Sequence, residues 1–176
     1  MSMVIDGSNG LTYPNSATNG GYINGGTAVA STSGTSIDFT SIPSWVKRIT
    51  VMFNGVSVSG ASSFLIQLGT SGGIVATGYV GGGFRSGGNT VATSNFTTGF
   101  GFNNTTGTSV YGGTAVLANV TGNIWCSSGV ISAGTGETIA TTAGNITLGG
   151  VLTQVRITTV NGTDTFDAGS INILYE

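Results

Sequence analysis

Apolar and polar residues alternate along much of this chain with a period of two. From Arg48 the run RITVMF puts Ile49, Val51 and Phe53 on one side and Arg48, Thr50 and Met52 on the other, the pattern of a half-buried strand. Upstream, Ile37 and Phe39 alternate with Ser36, Asp38 and Thr40. Ile42-Pro43 then breaks the run, because proline has no N–H to give to a ladder. Trp45 falls in the break, where a large ring can close one end of a core. Asn54-Gly55 predicts a bulge or bend. The rest of the chain is organised around this stretch, 36–58.

Downstream, Phe64, Ile66 and Leu68 alternate with Leu65 and Gln67; a turn at 69–73 and a strand over 74–80 follow. The glycine-rich 81–89 reads as a flexible loop carrying Phe84 and Arg85. Residues 95–102 read as one strand with Phe96, Thr98, Phe100 and Phe102 on a common face. A polar loop over 103–113 contains Asn104 and Tyr111. Further strands are predicted over 114–120, 123–132, 144–148, 153–160 and 170–175. No helical period and no internal repeat is present. Short strands with frequent turn signals predict an all-β chain, a jelly-roll-like β-sandwich.

Residues 1–26 differ. Beyond a short strand near Val4 and Ile5 they are punctuated by Asp-Gly and Asn-Gly turns. They read as an extended N-terminal arm before a sandwich domain over 27–176. Large apolar residues are sparse in the arm, too few to offset the roughly 1–2 kcal/mol per residue that ordering costs. Ile5, Leu11 and Tyr13 are the expected anchors where it docks on a neighbour; a floppy terminus is the alternative.

Composition changes this picture in three ways. The chain holds 32 glycines and only 6% charged residues. Disorder is one reading of so much Gly and Ser, but apolar and aromatic residues recur throughout, which disordered chains lack. A net charge of −2 with no basic cluster beyond Lys47-Arg48 argues against nucleic acid as a partner. The surface rich in hydroxyls and amides suits neutral partners, protein or carbohydrate, and tight packing between subunits. Cys126 is alone and reads as a buried thiol. No signal peptide and no apolar run of membrane-spanning length is seen, so synthesis in a cytoplasm without membrane insertion is expected.

Catalytic chemistry finds little to work with. Without histidine, Ser-His-Asp and Cys-His arrangements are ruled out, and zinc would have one thiol and no imidazole. Asp164 and Asp167 could serve as a carboxylate pair or, with Asn161, as calcium ligands; their setting NGTDTFDAG favours turn roles. No phosphate loop follows the glycine runs. No enzyme activity, no cofactor and no metal are expected. The phenylalanine stripe, Trp45 and Trp125 read as core before they read as a ligand platform.

Three stretches carry a family likeness. IDGSNGLTYP at 5–14 resembles an opening of tail-fibre and other appendage proteins of tailed bacteriophages. SIDF at 36–39 with IPSWVKRIT at 42–50, continued by LIQLG at 65–69 and TGY at 77–79, resembles a recurring β-module of the same proteins, as does DTFDAGSINILYE at 164–176. The module recurs in fibres and tail tips, with head decoration as a third setting, and no catalytic or receptor residue transfers with it. The extended repeats that precede it in long fibres are missing here. The resemblance implies a non-enzymatic virion structural protein: a tail-fibre or tail-tip subunit, homotrimeric, attached to other virion proteins by its arm. A host-surface glycan or protein is a further expected partner, through Phe84, Arg85, Asn104 and Tyr111.

Overall fold

In the computed structural model, residues 4–6, 10–12, 23–87, 89–104, 106–133 and 138–176 are described, the first two stretches as backbone alone. The strands in chain order are β1 (Val4–Asp6), β2 (Gly10–Thr12), β3 (Asn24–Gly25), β4 (Val29–Ala30), β5 (Ser36–Phe39) and β6 (Arg48–Val58). Then come β7 (Phe64–Thr70), β8 (Gly73–Ile74), β9 (Val80–Gly87), β10 (Thr90–Phe96) and β11 (Phe100–Phe102). The last are β12 (Tyr111–Thr121), β13 (Ile124–Ala133), β14 (Thr138–Thr147), β15 (Gln154–Thr159) and β16 (Phe166–Tyr175). All pairings are antiparallel, and β1 and β2 pair with each other.

Two unequal sheets form a β-sandwich. The large one runs β10-β9-β14-β13-β12-β6-β16-β3, with β4 also on β16; the small one runs β11-β7-β15-β5, with β8 also on β7. A jelly roll has eight strands in two Greek keys; here nine strands face five. Period-2 alternation drives the packing. Ile49, Val51 and Phe53 of β6 turn inward with Leu117, Trp125, Ile131, Ile146, Ile171 and Ile173 of its sheet, and meet Ile37, Phe64, Ile66, Leu68, Val155 and Ile157 of the other. Phe53 meets Phe64 and Phe102 edge-on, with ring centroids 6.2 and 6.0 Å apart, a favoured aromatic geometry.

The bulge expected at Asn54-Gly55 is present: register slips there against both β12 and β16. Gly55 and Gly169 face each other across it with φ of 65° and 89°, a backbone that L side chains rarely adopt.

Several expectations are corrected. Residues 74–80 form no single strand; Ile74 ends the short β8 and Val80 starts β9. Gly78 turns the chain at φ 83°, and Tyr79 drops into the core against Phe100. Residues 81–87 of the expected loop belong to strand β9, paired with both β10 and β14. The single strand over 95–102 is two: β10 ends in the large sheet and β11 starts in the small one. The N-terminal boundary also moves. Residues 24–30 already lie along β16, Gly26 N–H donates to Ile173 O at 2.8 Å, and Ser31 is fully buried.

Candidate interaction surfaces

The outer face of the large sheet is set by register. The row Thr93, Phe84, Thr141, Val130, Thr114, Met52, Asn172 crosses seven strands. The adjacent row is Asn95, Gly82, Ala143, Ser128, Val116, Thr50, Leu174. Val80, Val91, Ile124 and Ile139 extend the face. Among the described residues, six of the thirteen exposed large apolar side chains (Val80, Phe84, Val91, Ile124, Val130, Ile139) lie on it. Among the described residues of these strands, the exposed charges are Arg48, at one border and ion-paired with Glu176, and Asp167, at the opposite end of β16 and accepting from Ser57 Oγ. Small uncharged side chains fill the rest. The outer edge strand β10, TVATSNF, carries no charge or proline, the features that usually guard an edge.

The other outer face, on the small sheet, is polar. Arg156 and Asp38 are register partners on β15 and β5 and join in a two-point pair, Nε to Oδ1 and Nη2 to Oδ2, both 2.7 Å. This hydrogen bonding raises the guanidinium pKa above its ordinary value. A shallow groove of about 350 Å³ runs beside it, lined by Gln67, Thr98, Thr158 and Asn161 among others. Its polar groups are already engaged: Gln67 Nε2 donates to Thr98 O and Thr158 Oγ1 to Thr35 O, both at 2.8 Å.

At one end of the sandwich the turn 43–47 meets the β12–β13 turn, the 148–153 loop and the last residues of β16. Trp45 is 53% exposed there, against 3% for Trp125, so it does not close the core as expected. Buried Ile42 and Val46 anchor the turn on either side. Lys47 and Arg48 N–H both donate to Glu176 O, and the Trp45 ring leans on Tyr175 at 6.0 Å.

The residues expected to bind a receptor do not converge. Tyr111 is 0% exposed; it begins β12, and its hydroxyl donates to Asn104 Oδ1 at 3.0 Å. Asn104 Nδ2 donates in turn to Gly60 O and Ser62 O. These two therefore latch loops to the core and present nothing to a ligand. Phe84 and Arg85 are neighbours on β9 and so point to opposite faces: Phe84 lies in the outer uncharged row, Arg85 opposite Ala92 and Ala140 on the inner side. Of the arm anchors, Ile5 and Leu11 are direct partners in the β1–β2 ladder; their side chains, and Tyr13 altogether, lie outside the described residues.

The remaining candidates are structural. Asp164 accepts from Asn161 Nδ2 at 2.7 Å and Ser62 N at 3.0 Å, and Asp167 accepts from Ser57 Oγ. Phe96, Phe100 and Phe102 are buried. Cys126 is half-buried, not buried as expected, because Trp125 turns inward and its neighbour must face out. Among the described residues no group of three or more His, Cys, Asp or Glu comes together. No family model, curated protein or solved structure matches this chain.

Proposed function

We propose that this chain is a non-enzymatic structural subunit of a tailed-phage particle, a tail-fibre or tail-tip appendage, working as a homotrimer. The resemblance of 5–14, 36–50 and 164–176 to phage appendage proteins supplies the setting. The observation that carries the assembly part is the uncharged outer face of the large sheet. Seven strands spaced about 4.8 Å, each about seven residues at roughly 3.3 Å, give a face of roughly 800 Å². That matches the area each partner contributes to a stable interface. A second copy suits it better than a charged partner, because nearly every group on it is neutral and few charges would have to be desolvated on contact.

Attachment to the particle is assigned to the arm, through Ile5, Leu11 and Tyr13. Purified particles whose gene for this chain carries a deletion of residues 1–22 test the reading. The expected result is loss of the protein from particles by mass spectrometry, while the soluble protein still folds. Retention of the truncated protein in particles would contradict attachment by the arm.

A further inference from the structure

Strand β10 is the long open edge of the two packed sheets. It runs seven residues, Thr90–Phe96, and pairs with β9 alone. The other end strands are short: β3 and β4 have two residues, β11 three and β5 four. In an antiparallel end strand, alternate residues turn N–H and C=O away from the ladder. Beyond β9, the one hydrogen bond that β10 receives among the described residues comes from Asn103 Nδ2, 3.4 Å from Ala92 O. All its residues but Phe96 are exposed or half-buried, so this backbone is within reach of another chain.

Arg85 lies one strand in from the edge and is half-buried. Of the chain's four cations, Lys47 is bonded to Asn119, Arg48 to Glu176 and Arg156 to Asp38. Arg85 alone has no hydrogen bond or ion pair among the described residues. Register sets it between Ala92 and Ala140, with Gly83 and Gly87 before and after it on the same face. On the Ala140 side lies core: Ala140 and its partner Ile131 are both 0% exposed, and an unpaired charge is costly there. On the Ala92 side a methyl group separates Arg85 from the open edge. A strand added to β10 would stand two spacings from β9, about 10 Å, within the combined reach of an arginine and a carboxylate side chain.

Edge backbone groups select an extended chain, and the unpaired guanidinium selects an acidic one. A second copy of β10 does not meet that need: TVATSNF holds no carboxylate, so self-pairing would leave Arg85 without an anion. On the outer face the added strand would run beside Val91, 69% exposed, which suits apolar residues on either side of the acid.

We infer that the β10 edge binds an extended segment of another protein as an added β-strand, with an Asp or Glu facing Arg85 across Ala92 and uncharged residues beside it.

The probe is a capped peptide of alternating Thr and Val with Asp at its centre. Its controls carry Asn or Lys at the centre, or Asp with the backbone nitrogens methylated. Binding to the intact protein is read by anisotropy of labelled peptide, and amide hydrogen exchange locates it. The Asp peptide binds saturably and slows exchange within 90–96. Asn at the centre weakens binding roughly fivefold or more, and Lys or methylated nitrogens abolish it. Arg85→Gln makes the Asp and Asn peptides bind alike, with unchanged melting temperature. No binding of the Asp peptide, equal binding of the Asn peptide to the native protein, protection that misses 90–96, or a preference for Asp that survives Arg85→Gln overturns the inference.

Discussion

Tyr79 brings a hydroxyl into the core along with its ring. The phenol accepts from Leu68 N–H at 2.7 Å and donates to Val75 O at 3.0 Å, so both polar needs are met. Burial pushes its pKa up from 10.0 to about 12, against the Leu68 hydrogen bond that favours the anion. The folded protein therefore holds this proton more tightly than the unfolded chain does. The stability so gained is fully present below pH 10 and is lost as pH rises through about 12, an effect of about 2–3 kcal/mol. Denaturant titrations across this window should show that fall, with the Tyr79 tyrosinate signal rising only as the chain unfolds; a Tyr79 titration near pH 10 in folded protein would contradict it. Ser127 and Thr142 stand opposite to Tyr79: they are 6% and 3% exposed, and their hydroxyls meet no partner among the described residues. Thr142→Val, which keeps the shape and drops the hydroxyl, should stabilise the fold by about 1 kcal/mol in chemical denaturation; a loss of similar size would mean the hydroxyl is satisfied. Sequence alone could not separate such cases. Trp45 and Trp125 sit in similar apolar surroundings along the chain, yet alternation fixes only Trp125, which lies inside a strand, whereas Trp45 lies in a turn where period 2 gives no side.

At the scale of elements, the strands with large β-branched or aromatic residues on one face, β5, β6, β7, β13, β15 and β16, were legible from alternation. β9 and the first half of β14 were not, because small residues hide the period. Their glycines serve packing instead of turning: β11 crosses the inner face of the large sheet so closely that a Cβ on Gly83 would lie 2.8 Å from Gly101 O. Glycine there marks close approach, and a glycine run read locally looks like a loop. The same scale decides the N-terminal boundary. Deleting 1–22 removes turn-rich sequence with few large apolar residues and should leave the melting temperature nearly unchanged. Deleting 1–31 also strips β3 and β4 from β16 and removes the buried Ser31, whose Oγ donates to Ala168 O at 2.7 Å. That should cost about 2 kcal/mol or more. Equal melting temperatures for the two truncations would show that 23–31 adds nothing to the sheet.

For the whole molecule, the contrast between its two outer faces is the central feature. The small sheet turns a charged pair, Asp38–Arg156, toward solvent, while the large sheet shows Val, Ile, Phe, Thr, Ser and Ala, with the exposed charges Arg48 and Asp167 at its borders. Part of this was written in the low charged fraction, 6%. Which side of the molecule lacks charge was not, since it depends on long-range register between strands as distant in sequence as β9 and β16. A nine-strand sheet with an uncharged outer face invites association in water through burial of apolar surface, and a lysine at its centre would have to be desolvated on contact. Val130 lies in the middle row and is 53% exposed, so Val130→Lys leaves the fold intact while charging the face. Sedimentation equilibrium of the intact protein and of Val130→Lys is the most direct measurement. The expected masses are three times 17.5 kDa for the native sequence and a single chain for the variant, with unchanged melting of the fold. A native protein that sediments as one chain at micromolar concentration, or a Val130→Lys trimer as stable as the native one, would contradict assembly through this face.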